Sequence, residues 1–498
     1  MRLPSTAFVK FSTVIVVVVF FTLLNYGCQQ SGPTTNKAVS EVASPSPSPI
    51  VIPPWPPGFP KDMPTPVISG NIPLTVERPQ NDAPPLEKRP FFDNFSWESF
   101  IALNWPAKPD MRGVPDQPND PSVFLKAPAG TPVVWGTYKD SFDLFGQKER
   151  RPSPWESNED PINPCPNSSN QNTLIFITKG ETPLMQTQQA FSFPLIDQRK
   201  NYVYFDIRYD QAQYNFIRGQ DNDPSSWLYL LKNLQPKENA QFGVQMPMST
   251  TTPSNTLGSI MLKAAWRIKT DNDDASRFYT ATMQIYDPVT QKCTPTPVLL
   301  VGLHIAHKVD PFTEWVWSTF EQIDNVPPDT GTTLPPPPKG YSFNNGTDTP
   351  KTVGGYNYKP PIPPTNPGQP MPTPSPVQVT RVNPIPTTPA GSSTREINAY
   401  YQQLLKGTVW QYYQLVVTQW PVNPGIGTGN PFMLMENGGV YPQNAGGAFP
   451  VNGAVNITQE TYFQTQNDAA GAGGNSCMSC HYRAGQSDFS WGLNRRAH

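Results

Sequence analysis

The sequence predicts an α+β fold, a strand-rich globular body carrying short helices. Apolar alternation with a period of two dominates the middle of the 498-residue chain, and a helical stripe is clear in only two places. There is no strand–helix–strand alternation and no internal repeat, which excludes doubly wound and solenoid architectures.

In chain order, Arg2 and Lys10 precede the unbroken apolar run at 14–21, a basic region followed by a short hydrophobic one. This pattern reads as a secretory signal peptide over residues 1–27. The run is short for a bilayer span, so a retained anchor helix is the lesser alternative. Leu24-Asn25-Tyr26-Gly27-Cys28 follows. The small Gly27 before Cys28 is similar to the cleavage box of bacterial lipoproteins, with the leucine one place early. Lipidation of Cys28 would tether the N-terminus to a membrane; ordinary cleavage nearby is the other reading.

Proline is the dominant compositional bias, at 63 residues, well over twice the usual share of about 5%. It concentrates in two tracts that lack hydrophobic periodicity. Residues 28–90 are expected to form a disordered linker and residues 326–391 a surface insertion. The body then falls into two pieces, 91–325 and 392–498. A net charge of −2 with 15% charged residues gives no case for a nucleic-acid partner.

Within the body, residues 91–106 predict a short helix capped by Asn94 or Ser96. Trp97, Phe100 and Ile101 form its stripe, and Pro106 stops it. Residues 202–209 alternate as a strand, with Val203, Phe205, Ile207 and Tyr209 on one face. Residues 260–268 and 277–286 predict two strands paired through the turn at 271–274. Residues 298–309 and 410–419 predict two more. Residues 393–405 give the clearest helix: Ile397, Tyr400, Tyr401, Leu404 and Leu405 share a face, and Gly407 ends it.

The chemistry is concentrated in Ser476-Cys477-Met478-Ser479-Cys480-His481. Cys-x-x-Cys-His is the attachment signature of a c-type haem. Two thiols on one turn can add to the two vinyl groups of a porphyrin, and the histidine that follows reaches the iron. A thiol–disulfide motif has no need of the histidine. A structural zinc site needs a further ligand, and the chain has no second Cys-x-x-Cys or Cys-x-x-His. Export agrees with the motif, because bacterial haem c is attached outside the cytoplasm. Of five cysteines, Cys28 lies at the processing site and Cys477 and Cys480 in the haem motif. The remaining Cys165 and Cys293 are expected to form a disulfide in an oxidising compartment, with two buried thiols as the alternative.

The segments FSWESFIALNWPA, TPVVWGTYKD, VGLHIAHKVDPFTEWVWSTFEQIDN, QLVVTQWP and SCMSCHYRA give a resemblance. Together they resemble a loosely characterised family of exported bacterial cytochrome c-like proteins, over residues 91–498 apart from the insertion. The resemblance implies redox chemistry on haem c and names no substrate. One departure is visible. Where the family pattern leads one to expect a histidine, this chain has Gln322, which cannot ligate iron.

Only seventeen residues follow His481, so the haem motif does not open a standard small all-α cytochrome c domain, in which the axial methionine comes later. The motif forms a C-terminal haem-attachment helix, and a second iron ligand must come from upstream. His304 and His307 lie on one predicted strand. Alternation puts His307 with Leu299, Val301, Leu303 and Ile305. His304 falls with Gly302 and Ala306, whose small side chains would leave room for a macrocycle. Met433 and Met435 are the thioether alternatives; His498 is a tail residue. Arg483, Arg495 and Arg496 could pair with haem propionates. Trp315, Trp317, Tyr412, Trp420 and Trp491 could wall a pocket, and residues 469–474 read as a glycine-rich hinge. The expected function is electron transfer by an exported mono-haem c-type cytochrome, periplasmic or membrane-anchored, with a redox partner protein. The alternative is a haem-dependent peroxidase or other oxidoreductase with an open iron position.

Overall fold

The alternating segments of the body all join one sheet. The computed structural model describes residues 52–78, 83–146, 150–158, 165, 173–175, 186–187, 189, 193–234, 244–287, 290–329, 336–346, 357, 360–361, 373–422, 424, 448–450, 453–464, 476–481, 484 and 487–497. Among them nine strands pair: β1 (Lys139–Asp140), β2 (Thr173–Ile175), β3 (Tyr204–Tyr209), β4 (Ile260–Ile268), β5 (Thr280–Asp287), β6 (Lys292–Val309), β7 (Phe312–Gln322), β8 (Tyr413–Pro421) and β9 (Ala448–Phe449). Their order is β1-β3-β4-β6-β7-β8-β9, with β5 beside the outer part of β6. Of these described strands, β2 on β5 runs parallel and the other pairs antiparallel. Among the described residues eight α-helices accompany the sheet: α1 (Pro85–Leu103), α2 (Pro121–Leu125), α3 (Ser141–Phe145), α4 (Gln211–Arg218), α5 (Leu231–Leu234), α6 (Thr394–Leu404), α7 (Cys477–His481) and α8 (Trp491–Arg496). The protein is α+β.

The two expected helices cover one sheet face. α6 has the predicted limits, because Ser393 and Glu396 form a reciprocal capping box and Gly407 supplies a left-handed φ of +93° beyond its end. α1 starts well before the predicted cap. Pro85 opens it, and Asn94 and Ser96 are buried in its interior. Their side chains bond across the core instead of capping: Asn94 Oδ1 accepts from Tyr401 at 2.7 Å, and Ser96 Oγ lies 2.7 Å from the hydroxyls of Ser318 and Thr418. Trp97 stacks on Tyr401 and meets Phe320 edge-on, which locks α1 and α6 to β7.

Three expectations are corrected. β4 and β5 are not partners, because both pair with the 18-residue β6. The turn at 271–274 therefore leads across the sheet and closes no hairpin. The tract at 28–90 is not linker throughout. Trp55 stacks on Phe59 at 4.8 Å and meets Tyr400 at a tilt at 4.4 Å, and Met63, Ile68 and Val76 are buried. An extended proline-rich segment needs no helical or strand period to bury side chains placed singly along it. In the insertion at 326–391, likewise, Val326, Phe343, Val377 and Val379 are buried with Leu299, Val301 and Ile457. Because β8 pairs with β7, the two pieces of the body share one sheet, and Ile50–His498 is one compact unit.

Candidate functional site

Cys477, Cys480 and His481 lie on α7, whose start is set by Ser476: its hydroxyl accepts from Ser479 N at 3.2 Å. The helix is pinned to the sheet through Gln419 on β8, whose side chain accepts from Met478 N at 2.7 Å while the Met478 side chain is fully buried. Both cysteines are thiols outside any disulfide. Burial pushes the Cys477 thiol well above its ordinary range, and the Glu460 carboxylate adds to the shift. Its Sγ lies 3.4 Å from the Ala454 carbonyl.

The His481 ring is fixed on two sides. Nδ1 lies 2.7 Å from the Phe489 carbonyl oxygen, which can only accept, so Nδ1 carries the proton and Nε2 keeps its lone pair. The Trp317 ring sits 4.4 Å from the imidazole, centroid to centroid. Burial pushes His481 down to about 4, so the ring is neutral at physiological pH. A neutral imidazole with its second nitrogen bonded to a carbonyl is the usual form of a metal-ligating histidine. Two unbridged thiols, one a turn before such an imidazole and one directly before it, are the donors that a c-type haem requires, so the residues present fit that group. Among the described residues no three His, Cys, Asp or Glu side chains gather as a metal-ion site.

His304 and His307 part company. A β-bulge at Val301, opposite Ala265 and Trp266, breaks the alternation along β6. Leu300, Leu303 and Ile305 consequently join the core with Trp97 and Phe320, while Leu299 and Val301 join the second cluster. His307 lies on the α1 side, with its ring 5.6 Å from Phe95 and Nε2 2.8 Å from Ser249 Oγ. Burial alone pushes it down to about 3. His307 therefore does not join the motif, and its candidacy as a ligand is corrected.

His304 is on the other face, with the Cys477–His481 segment. Its Nε2 lies 2.9 and 3.0 Å from the two oxygens of Glu460. Burial would raise the Glu460 carboxyl, but the His304 charge and hydrogen bond, with Lys263 and the Asn456 N–H, hold it below its usual value. His304, Glu460 and Lys263 all act electrostatically on His481, which places the four groups in one neighbourhood. The space expected over Gly302 for a macrocycle is filled: a Cβ there would lie 2.1 Å from Thr458 Oγ1. Glu460 and the Phe489 carbonyl went unread in the sequence, where neither lies in any motif.

Cys165 and Cys293 are joined as a disulfide, with Cα atoms 5.8 Å apart, tying the start of β6 to a segment 128 residues earlier. Gln322 donates to the Arg277 carbonyl at 3.1 Å, a buried structural role. Of the aromatics expected to wall a pocket, Trp317 touches His481, whereas Trp420 stacks on Phe92 on the α1 side. Cys28, Met433, Met435, Arg483, His498, residues 469–474 and the side chains of Arg495 and Arg496 lie outside the described residues. Among the described residues no helix is long and apolar enough to cross a membrane.

No family model, curated protein or solved structure matches this chain.

Proposed function

We propose that this is an exported mono-haem c-type cytochrome that transfers electrons with a redox partner protein. Cys477 and Cys480 would hold the haem covalently and His481 would ligate its iron. The observation that carries the reading is the 2.7 Å bond from His481 Nδ1 to the Phe489 carbonyl, directly after two unbridged thiols on one turn. A haem bound there supplies one-electron chemistry. The chain orients the ligand through Phe489 and shields the imidazole with Trp317. It also offers His304 as a second imidazole on the same sheet face. The basic and apolar leader supports an exported location, periplasmic or facing the periplasm or cell surface, and a lipidated Cys28 would add a membrane tether.

One observation favours a second reading, a haem-dependent oxidoreductase such as a peroxidase with an open iron position. Nε2 of His304 is already engaged by both oxygens of Glu460. A histidine held by a carboxylate is equipped to move protons to a small substrate.

Haem staining of a denaturing gel after acid–acetone extraction should give a coloured band, and a colourless one overturns both readings. A low-spin ferric spectrum that turns high-spin in His304→Ala supports the carrier. A high-spin wild type whose peroxide turnover falls in Glu460→Gln supports the enzyme.

A further inference from the structure

The backbone that presents the Phe489 carbonyl is held in a left-handed conformation, which an aspartate tolerates and a phenylalanine does not favour. Asp488 and Phe489 have φ of +51° and +63°, two consecutive non-glycine residues in the left-handed region. Such a turn persists only where its surroundings over-determine it. Asp488 supplies that hold. Its carboxylate, on a residue 2% exposed, accepts from the Lys308 ammonium, from Met246 N at 2.6 Å and from Trp315 Nε1 at 3.4 Å. Lys308 is on β6 and is 1% exposed. The chain thus runs from a buried cation on a central strand, through a buried carboxylate, to the neighbouring carbonyl that holds His481.

We propose that Lys308 and Asp488 are positioning residues for His481. The pair clamps the 487–490 turn to the sheet, and the clamp keeps the Phe489 carbonyl on Nδ1, which sets the tautomer and donor strength of the imidazole. The consequence for haem rests on the function proposed above; the clamp itself does not. A buried ion pair that served stability alone would leave the histidine proton untouched.

The test uses full-length exported protein with ¹⁵N-labelled histidine; four imidazoles keep the spectrum simple. In wild type the His481 Nδ1 proton should exchange slowly. In Lys308→Met combined with Asp488→Asn, which removes both charges without leaving one buried alone, exchange should quicken at least about tenfold, or about 1.4 kcal/mol. Lys308→Arg, which keeps the charge, should restore slow exchange. In native haem-containing protein the midpoint potential of the double variant should also rise, because an imidazole without its carbonyl partner donates less to ferric iron. Unchanged exchange in a folded double variant overturns the proposal. If the double variant fails to fold, Asp488→Glu, which keeps the charge and moves it by one methylene, takes its place with the same criterion. A wild type without haem removes the function proposed above, while the exchange measurement on that same protein still decides the clamp.

Discussion

Gly302→Ala is the sharpest test of how the sheet carries the site. In an ordinary strand interior this change is favourable by about 0.5–1 kcal/mol, because glycine loses more chain entropy on folding. Here the new Cβ would lie 2.1 Å from Thr458 Oγ1 and 3.3 Å from Asn456 Oδ1. Thr458 cannot swing aside without loss. Its hydroxyl donates to Asn456 Oδ1 at 2.7 Å, its N–H to the same oxygen at 2.8 Å, and its carbonyl accepts from Gln189 at 3.1 Å. Overpacking costs about 1–3 kcal/mol and a broken hydrogen bond about 1, so the net effect should be a loss of about 1–3 kcal/mol despite the entropy gain. The same turn carries Glu460, whose N–H donates to the Asn456 carbonyl at 2.8 Å, so the His304–Glu460 contact moves with it. Urea denaturation of Gly302→Ala, Thr458→Ala and the double variant measures this. The double variant should recover about 1 kcal/mol or more of coupling. A Gly302→Ala protein as stable as wild type, or strictly additive effects, refutes the reasoning.

The buried His307 makes the fold acid-sensitive. Its folded value of about 3 lies below the ordinary 6.5, so its stabilisation is complete above 6.5 and is lost as pH falls towards 3. His307→Phe should flatten the stability profile across that window by a few kcal/mol, and an unaltered acid limb in urea titrations would contradict the burial argument. For Cys165 and Cys293, non-reducing peptide mapping should recover the two peptides joined; quantitative alkylation of both thiols without reductant excludes the bridge.

How much was legible follows from the range over which each signal acts. α6 could be read to within a residue because its cap, stripe and stop are local. α1 could not, because Asn94 and Ser96 look like caps yet bond to Tyr401, Ser318 and Thr418, all more than 200 residues away. The strands were visible, but their partners were not: β6 is long enough to take β4 on one edge and both β5 and β7 on the other. The motif at 477–481 was explicit. Choosing between His304 and His307 needed the face each occupies and the space above it. The pattern put them on opposite faces, but it could not show Thr458 filling the space over Gly302. The Glu460 and Phe489 contacts are purely tertiary.

The late position of β8 governs the order in which the molecule can be completed. β7 ends at Gln322, and its outer edge remains unsatisfied until Tyr413–Pro421 arrives, with the whole 326–391 tract between them. α7 in turn rests on Gln419 of that late strand and seals Met478 beneath it. A chain emerging from its N-terminus thus covers the β7 edge before the cysteine motif appears. The motif then has a surface to dock on at once. That docking closes off Met478 completely and leaves Cys477 and Cys480 half-buried, so both cysteines stay partly accessible in the folded protein.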